Sequence, residues 1–347
     1  MSAELIQALE ELEKERGIPK EVLIDAIESA LRTAYKKNFG SNQNVEVHMD
    51  GDTGVFTVYC HKTVVESVTD DKIEISLEEA RDINIDAQIG AEVEIEVTPG
   101  NFGRIAAQTA KQVVIQRLRE AERNIIFDEF VNREGEIVAG TVQRNEQRVI
   151  IVNLGQTEAI MVHQDQIPGE TFAQGQRIKV YISEVKRSAK GPQITASRSH
   201  PNFLKRLFEL EVPEIFDGLV EIKSIAREAG YRSKIAVYSR DEMIDPVGAC
   251  VGPRGMRVQN IVRELNGEKI DIIKWNSDAE VFIANALSPS KVIQVEVDEE
   301  EKASRVVVPD HQLSLAIGKE GQNARLAAKL TGWKIDIKSE SQVNKEE

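Results

Sequence analysis

The chain has 347 residues, of which 41% are hydrophobic, 29% charged and only 5% aromatic, and its formal net charge is −14. The apolar content excludes a wholly disordered chain and predicts buried cores that are mainly aliphatic. The negative net charge excludes a uniformly basic coat for nucleic acid. At roughly 100–200 residues per domain, the length predicts two to four domains.

Charge is distributed unevenly along the chain. Residues 1–130 carry a net charge of −12, residues 131–199 carry +2 and residues 200–347 carry −4. A single charged run is ordinarily solvated surface. An asymmetry of this size nevertheless indicates different partners for the two ends of the chain.

Cysteine content and hydropathy indicate the compartment. Two cysteines, Cys60 and Cys250, cannot form a disulfide framework. The acidic, amphipathic segment 1–15 is not typical of a signal or transit peptide. No apolar run approaches the roughly 20 residues of a membrane span. We therefore expect a soluble, cytoplasmic protein without a membrane segment.

The first third of the chain predicts two helices, a group of strands and one long helix. Apolar residues recur every three to four positions in the two helices, at Leu5, Leu9, Leu12, Leu23, Ile27, Leu31 and Tyr35. A hairpin is expected around Asp50-Gly51. From Arg104 to Glu134 there is neither Gly nor Pro, and about 27 helical residues would span about 40 Å. Such a helix could be a strut between domains or could pack within one domain.

The middle of the chain is rich in predicted strands. Five short apolar runs are separated by glycine-containing turns, at residues 136–142, 149–154, 159–162, 177–183 and 192–196. This pattern favours a small barrel of the OB type, although another small β domain would fit the pattern as well. The segment is poor in aromatic residues, so a stacking platform of aromatic rings is not expected here.

An internal repeat occupies the last third. Gly252-Pro253-Arg254-Gly255 and Gly318-Lys319-Glu320-Gly321 are each followed by a predicted helix and then by a Gly-x-Lys-Ile-Asp-Ile sequence. Strands precede each loop, and residues 214–228 are predicted to be helical. Each copy is therefore expected to be a small unit of helices and strands.

The chemistry of these loops points to a phosphate backbone. Glycines allow close approach without a Cβ clash, and the following helix presents its free N–H groups and positive dipole. Arg254 and Arg257 add charge in the first copy, and Lys319 and Arg325 add it in the second, whereas Glu320 opposes it. A Gly-x-x-Gly loop that clamps about four nucleotides is the KH mode of single-stranded RNA recognition. The alternative is a helix–turn–helix with glycine caps.

Three segments carry a family resemblance. Residues 245–259, residues 102–123 of the long helix and the Ser197–Pro201 junction resemble the NusA family of transcription termination/antitermination factors. The resemblance covers essentially the whole chain. It implies an α+β multidomain protein that has an α/β N-terminal domain with a linker helix at 1–130, an S1-type OB-fold barrel at 131–199 and type II KH domains at 200–277 and 278–347.

The resemblance also implies partners and site residues. RNA polymerase would be bound at the flap of its beta subunit, near the RNA exit channel, and emerging single-stranded RNA would be bound by the S1 and KH domains. Other Nus factors could join, and a monomer is expected. The RNA-binding positions are Arg198, Gly252, Pro253, Arg254, Gly255, Arg257, Gly318, Lys319, Glu320, Gly321 and Arg325. Replacing the four glycines by Asp is expected to abolish most of the RNA affinity while the fold stays intact.

No enzymatic site is visible in the sequence. The five histidines lack metal-ligand spacing, and Gly318-Lys319 lacks the other residues of a P-loop. We therefore expect no cofactor, no metal and a non-enzymatic regulator of transcription elongation. The alternatives are an RNA-processing enzyme or ribosome-associated S1/KH protein, which predicts a catalytic cluster, and a structural scaffold, which predicts no RNA binding.

Overall fold

The computed structural model describes residues 2–39, 44–146, 148–188 and 191–343 of the chain. These residues divide into two compact units, Met1–Ile126 and Phe127–Glu347. Both units mix helices with antiparallel and parallel strand pairs. The expected α+β class is therefore confirmed.

Two helices begin the first unit, α1 (Ser2–Arg16) and α2 (Lys20–Phe39). The apolar positions predicted for these helices lie in one core, where Leu9, Leu23, Ile27 and Leu31 are completely buried. A helix that buries one stripe and leaves acidic residues on the other face is the expected form for a surface helix. The predicted periodicity is thus confirmed.

A four-stranded sheet completes this unit. Its strands are β1 (Val45–Met49), β2 (Phe56–Val65), β3 (Glu74–Ser76) and β4 (Glu92–Glu96), and a short helix, α3 (Leu77–Ile83), follows β3. Strand β2 is central, because β1 and β4 pair with it antiparallel and β3 pairs with it parallel. The predicted hairpin is formed by β1 and β2.

The long helix α4 extends from Phe102 to Val131. It begins two residues before the predicted start and includes Gly103, since Phe102 is fully buried and donates its N–H to Pro99 O. The first part of the helix is buried on one side, with Ala106 and Ala110 completely covered, whereas Ile125 further along is 47% exposed.

The predicted five strands form a closed barrel. They are β5 (Ile137–Glu146), β6 (Val149–Asn153), β7 (Glu158–Met161), β8 (Arg177–Ser188) and β9 (Gly191–Ser197). The order around the barrel is β5-β6-β7-β9-β8. This closed Greek-key arrangement of five strands is the OB topology, and it excludes the other small β domains that the sequence pattern left open.

Helix α5 (Pro201–Glu211) leads out of the barrel, and His200 is its N-cap. The Nδ1 atom of His200 accepts the Asn202 N–H at 3.1 Å, and its ring stacks on Tyr181 with centroids 4.9 Å apart. Burial is the largest cause that lowers the pKa of His200 below its usual 6.5, with Arg227 lowering it further and Asp165 opposing. Protonation would remove the acceptor that caps the helix.

We expect this histidine to make the stability of the second unit depend on pH. Because the folded-state pKa is depressed, the contribution of His200 is fully present above pH 6.5 and is lost as the pH falls through the folded value. The free energy of unfolding, measured in urea at pH 7.5 and 5.5, should fall more in the parent than in His200→Asn, which keeps a capping oxygen that does not titrate. Equal decreases in both chains would contradict this assignment.

Two copies of one unit follow the barrel. The first consists of α5, a short helix α6 (Pro213–Phe216), β10 (Val220–Glu228), β11 (Arg232–Ser239), α7 (Pro246–Val251), α8 (Met256–Glu264) and β12 (Lys269–Lys274). The second consists of α9 (Ala279–Ala286), β13 (Gln294–Asp298), β14 (Ala303–Val308), α10 (Leu313–Ile317), α11 (Gln322–Thr331) and β15 (Lys334–Ser339). A further turn of helix, α12 (Glu340–Val343), follows. In each copy the middle strand pairs antiparallel with the first and parallel with the third.

The helical prediction for residues 214–228 is wrong, because residues 220–228 form strand β10. A β-bulge between Ile222 and Ser224 breaks the two-residue alternation of this strand. The apolar residues Ile222, Ile225 and Ala226 consequently stand three and four positions apart, which imitates a helical stripe. The first copy therefore contains two strands before its loop, as the second copy does.

The two copies pack closely on each other. Helix α11 of the second copy contacts β10 and β11 of the first, and one apolar core includes Ala226, Ala236 and Leu326. The ammonium group of the fully buried Lys234 donates to Asp271 at 2.9 Å and to Ser288 O at 2.8 Å. Burial is the main cause that lowers the pKa of Lys234. These contacts hold the two loops in one relative orientation.

Candidate nucleic-acid interface

The two glycine loops have the same backbone conformation. The first and last glycines of the first loop, Gly252 and Gly255, have φ values of +73° and +75°, and Gly318 and Gly321 of the second have +77° and +74°. Two non-glycine residues, Arg254 and Glu320, also have a positive φ of +53°, in the left-handed region. Residues other than glycine rarely adopt this backbone conformation unless the surrounding structure requires it.

Each loop leads into a helix whose N-terminus has no side-chain cap, although the first N–H of each helix donates to a loop carbonyl, Pro253 O or Lys319 O. No side chain caps α8 or α11, and the first turn of each contains no acidic residue. The first N–H groups of these helices are therefore unused by side chains, and the helix dipoles point their positive ends toward the loops. This arrangement is suited to an anion such as a phosphate.

The two glycines of a loop have different roles. A Cβ on Gly318 would lie 2.8 Å from both the N and the Cβ of Asn323, and one on Gly252 would lie 2.6 Å from Cγ of Arg257. A Cβ on Gly321 would meet nothing within 4 Å. The first glycine therefore allows the loop to pack on the next helix, whereas the second leaves open space for a ligand.

This difference predicts unequal stabilities for two matched variants. Both glycines have positive φ, but Gly318 has ψ 170°, a conformation open essentially to glycine alone, whereas Gly321 has ψ 14° in the left-handed helical region. Gly318→Ala therefore adds greater backbone strain and also forces overlap with the backbone, and it should cost about 1–3 kcal/mol more in free energy of unfolding than Gly321→Ala. Urea unfolding of the two variants measures this difference, and equal stabilities would contradict both the greater strain and the overlap at Gly318.

The centres of the loops are exposed and differ in charge. Pro253 and Arg254 are exposed in the first loop, and Lys319 and Glu320 are exposed in the second. Among the residues that the structure describes, neither Arg254 nor Lys319 has a hydrogen-bond or ion-pair partner. Both cations are thus available to a ligand, but only the second loop places a carboxylate beside its cation.

The other two predicted cations, Arg257 and Arg325, are bound to protein groups. Arg257 donates to Glu214 at 2.9 Å and to Ala249 O at 2.7 Å. Arg325 reaches across from the second copy to Glu228, with 2.7 Å between Nε and Oε1, and its hydrogen bond is the largest cause that lowers the pKa of Glu228. Both side chains therefore stabilise the loops through bonds to the protein, although the Arg325 side chain remains 47% exposed.

Arg198 lies apart from the loops, at the junction of the barrel with the first copy. Its side chain is 3% exposed and forms a bidentate pair with Glu170 at 2.8 and 2.7 Å. The remaining N–H groups donate to Lys179 O, Glu264 O and the Glu264 carboxylate at 2.6–3.0 Å. All five donors of the guanidinium are used, so none is free for a phosphate.

Within residues 2–39, 44–146, 148–188 and 191–343, no group of His, Cys, Asp or Glu side chains could hold a metal ion. Burial raises the pKa of the Cys250 thiol to about 12, so this cysteine is an inert core residue. No helix in the described part of the chain is long and apolar enough to cross a membrane.

The fold and the loops together define a class of protein. A five-stranded OB barrel is followed by two α-β-β-α-α-β units with Gly-x-x-Gly loops at helix N-termini. This combination is typical of multidomain proteins that bind single-stranded nucleic acid through S1 and KH modules.

Comparisons with known proteins give the particular family. Residues 4–124 match the family model of the NusA N-terminal domain, and residues 132–197 match that of the S1 RNA binding domain. Residues 198–275 and 279–345 match the NusA-like first and second KH domains. The chain belongs to the NusA family of transcription termination/antitermination proteins.

Relatives resemble the chain over nearly its whole length. The transcription termination/antitermination protein NusA of Bacillus subtilis (strain 168) is 61% identical, with 98% of this chain and 92% of that protein covered. The NusA protein of Thermus thermophilus is 44% identical, with 96% and 89% covered. The solution structure of the N-terminal domain of the Bacillus subtilis protein is 58% identical and covers 35% of this chain and 99% of its own, with a TM-score of 0.33.

Proposed function

We propose that the chain is a non-enzymatic transcription elongation factor that binds RNA polymerase and nascent single-stranded RNA. In this role it would act in the cytoplasm as a monomer and modulate pausing, termination and antitermination. The observation that supports RNA binding is the pair of loops with matching backbone conformation. In each loop the second glycine borders open space, and the helix that follows has no side-chain cap. The family membership supports the binding of RNA polymerase.

The proposal assigns a separate task to each part of the chain. Residues 1–130 hold a net charge of −12 and would contact the flap of the polymerase beta subunit near the RNA exit channel. Residues 131–199 would form the S1 domain, and residues 200–277 and 278–347 the two KH domains. Other Nus factors would join this assembly in antitermination.

The proposed RNA contacts are the loop residues Gly252, Pro253, Arg254, Gly255, Gly318, Lys319, Glu320 and Gly321. Arg257 and Arg325 would hold the loops in place, because their guanidinium groups are bonded to Glu214 and Glu228. For Arg198 we propose a positioning role at the domain junction instead of the direct RNA contact expected from the sequence, since its guanidinium is buried and fully bonded.

Titration of the full chain with a single-stranded oligonucleotide tests the proposed binding of RNA by the loops. If each loop clamps about four nucleotides, the logarithm of the association constant should fall with the logarithm of salt concentration with a slope of about −3 to −6. A slope near zero, or no binding, would exclude the loop clamp. Cleavage of the oligonucleotide by the pure chain in the presence of magnesium would favour the enzymatic alternative.

A binding assay with purified RNA polymerase tests the proposed binding of the polymerase. The full chain should bind core RNA polymerase and fail to bind a core enzyme that lacks the flap tip of the beta subunit. The Arg254→Asp variant should retain polymerase binding, because the loop is assigned to RNA binding. Unchanged binding to the truncated polymerase would contradict the flap assignment.

A further inference from the structure

A cavity of about 560 Å³ lies between the barrel and the first KH domain, in the unit that spans Phe127–Glu347. Its volume is within the range of sites that hold one small organic molecule. The barrel wall includes Phe172, Arg177 and Lys179, and the KH wall includes Arg263 and Asn266. Arg198, which is 3% exposed, lines the cavity together with its partner Glu170.

Cations that are not neutralised face this cavity. Its two carboxylates, Glu170 and Glu264, are both bonded to Arg198. Among the residues that the structure describes, Arg177 and Arg263 have no carboxylate partner, and the nearest bond of Arg263 is a 3.5 Å contact with Asn260. Because one cation is supplied by each wall, an anionic group that enters would be attracted from both domains.

An aromatic ring accompanies these charges. Phe172 is half-buried, and the guanidinium carbon of Arg198 lies 5.4 Å from the centre of its ring. The guanidinium is held in place by its own bonds and fixes one side of the ring, while the half-buried ring lines the cavity and keeps part of its surface accessible to a base. Cations beside an aromatic ring are the combination that binds a nucleotide through its phosphate and its base.

One face of helix α8 connects the first glycine loop with this cavity. The exposed residues Met256, Gln259, Asn260 and Arg263 follow one another at steps of three, one and three, which places them on one side of the helix. The open space above Gly255 is bordered by Gln259, whose Nε2 lies 3.8 Å from the ideal Cβ position. At ~1.5 Å per residue, the helix carries this face over about 10 Å.

From this geometry we infer that the cavity binds a nucleotide of the same RNA strand that the first KH loop clamps. This inference rests on the proposed function and adds to it a specific site on the barrel side. The strand leaves the open face of Gly255, follows the exposed face of α8 and places one nucleotide against Phe172. Arg177 and Arg263 bind its phosphates.

Binding of single-stranded oligonucleotides of increasing length to the full chain tests the inference. Arg177→Glu and Arg263→Glu should each leave the affinity for the shortest oligonucleotides unchanged and lower the affinity for longer ones by about tenfold. The matched control is Arg144→Glu, because Arg144 is an exposed barrel arginine outside the cavity. Its effect on affinity should not change with the length of the oligonucleotide. A 4-thiouridine in the longer RNA should crosslink to residues 171–179.

The outcomes separate this inference from the proposed function. If Arg254→Asp weakens binding while both cavity variants match Arg144→Glu at every length, the cavity does not bind RNA and the loop assignment stands. If Arg254→Asp has no effect either, the proposed function itself fails. If a free nucleoside monophosphate binds the parent but not Arg177→Glu, and no length-dependent step appears, the cavity takes a separate nucleotide and the inference is overturned.

Discussion

Replacing the exposed cation of each loop by aspartate should lower RNA affinity by at least about 100-fold, since two charge-assisted bonds are lost. Arg254 and Lys319 are exposed and without protein partners, and each would form a charge-assisted hydrogen bond to phosphate. Such a bond contributes about 1.5–3 kcal/mol, and 1.4 kcal/mol corresponds to a factor of ten. Fluorescence anisotropy of the Arg254→Asp/Lys319→Asp variant with a labelled single-stranded RNA measures the loss.

The fold should survive this change, because the side chains point to solvent and Asp tolerates the left-handed conformation of position 254. The free energy of unfolding should remain within about 0.5 kcal/mol of the parent value. Arg144→Asp/Arg305→Asp is a control with the same change in net charge at exposed sites outside the loops. Equal losses of affinity in the two double variants would mean that binding depends on overall charge and not on the loops.

The variant with Asp at all four loop glycines is not a clean test of RNA binding. The sequence predicts that this variant keeps its fold, but a side chain at Gly318 would overlap the backbone of Asn323. A loss of RNA binding in that variant could therefore reflect a distorted loop. Substitution at the loop centres avoids this ambiguity.

The second large effect should come from Arg198. In Arg198→Met, Glu170 is left with 4% exposure and without its bidentate partner. Removing one member of a buried ion pair typically costs 3–5 kcal/mol, because the remaining charge is uncompensated. We expect a loss of about this size in the free energy of unfolding, measured in urea through the fluorescence of Trp275 and Trp333.

Two controls separate the buried charge from other effects of this substitution. Arg198→Met/Glu170→Leu removes both charges and should recover most of the lost stability. Arg206→Met breaks a pair with Glu209 in which the arginine is 45% exposed, together with a hydrogen bond to Gly135 O, and it should cost no more than about 1–2 kcal/mol. If Arg198→Met is as mild as Arg206→Met, the junction does not depend on this ion pair.

The sequence predicts the parts of this fold that rest on local patterns. The buried stripe of α2, with Leu23, Ile27 and Leu31, follows from helical periodicity, and the five barrel strands follow from short apolar runs between glycines. Internal repetition identifies the two loops. Strand β10 is not predictable in this way, because its bulge at Ile222–Ser224 removes the alternation by which strands are recognised.

Features that depend on tertiary contact were not predictable. Arg254 and Arg257 look alike in sequence, yet one faces solvent and the other is bonded to Glu214, which is 43 positions away along the chain. The cavity joins residues near 170 with residues near 263, and no local pattern connects them. In the sequence the cations of the cavity are only basic residues among others, and nothing indicates that they line the same cavity.

The direct packing of α11 on the first KH sheet has a consequence for the energetics of RNA capture. Only residues 275–278 separate β12 from α9, so the protein provides little slack between its two glycine loops. If both loops bind one RNA strand as proposed, the second loop would meet the RNA at an effective concentration determined by the stiffness of the RNA and not by a protein tether. An unpaired strand could then adjust its path to reach both loops, whereas a segment folded into a hairpin would be too stiff to do so. Under the proposed function, the affinity would therefore depend on whether the transcript is unpaired.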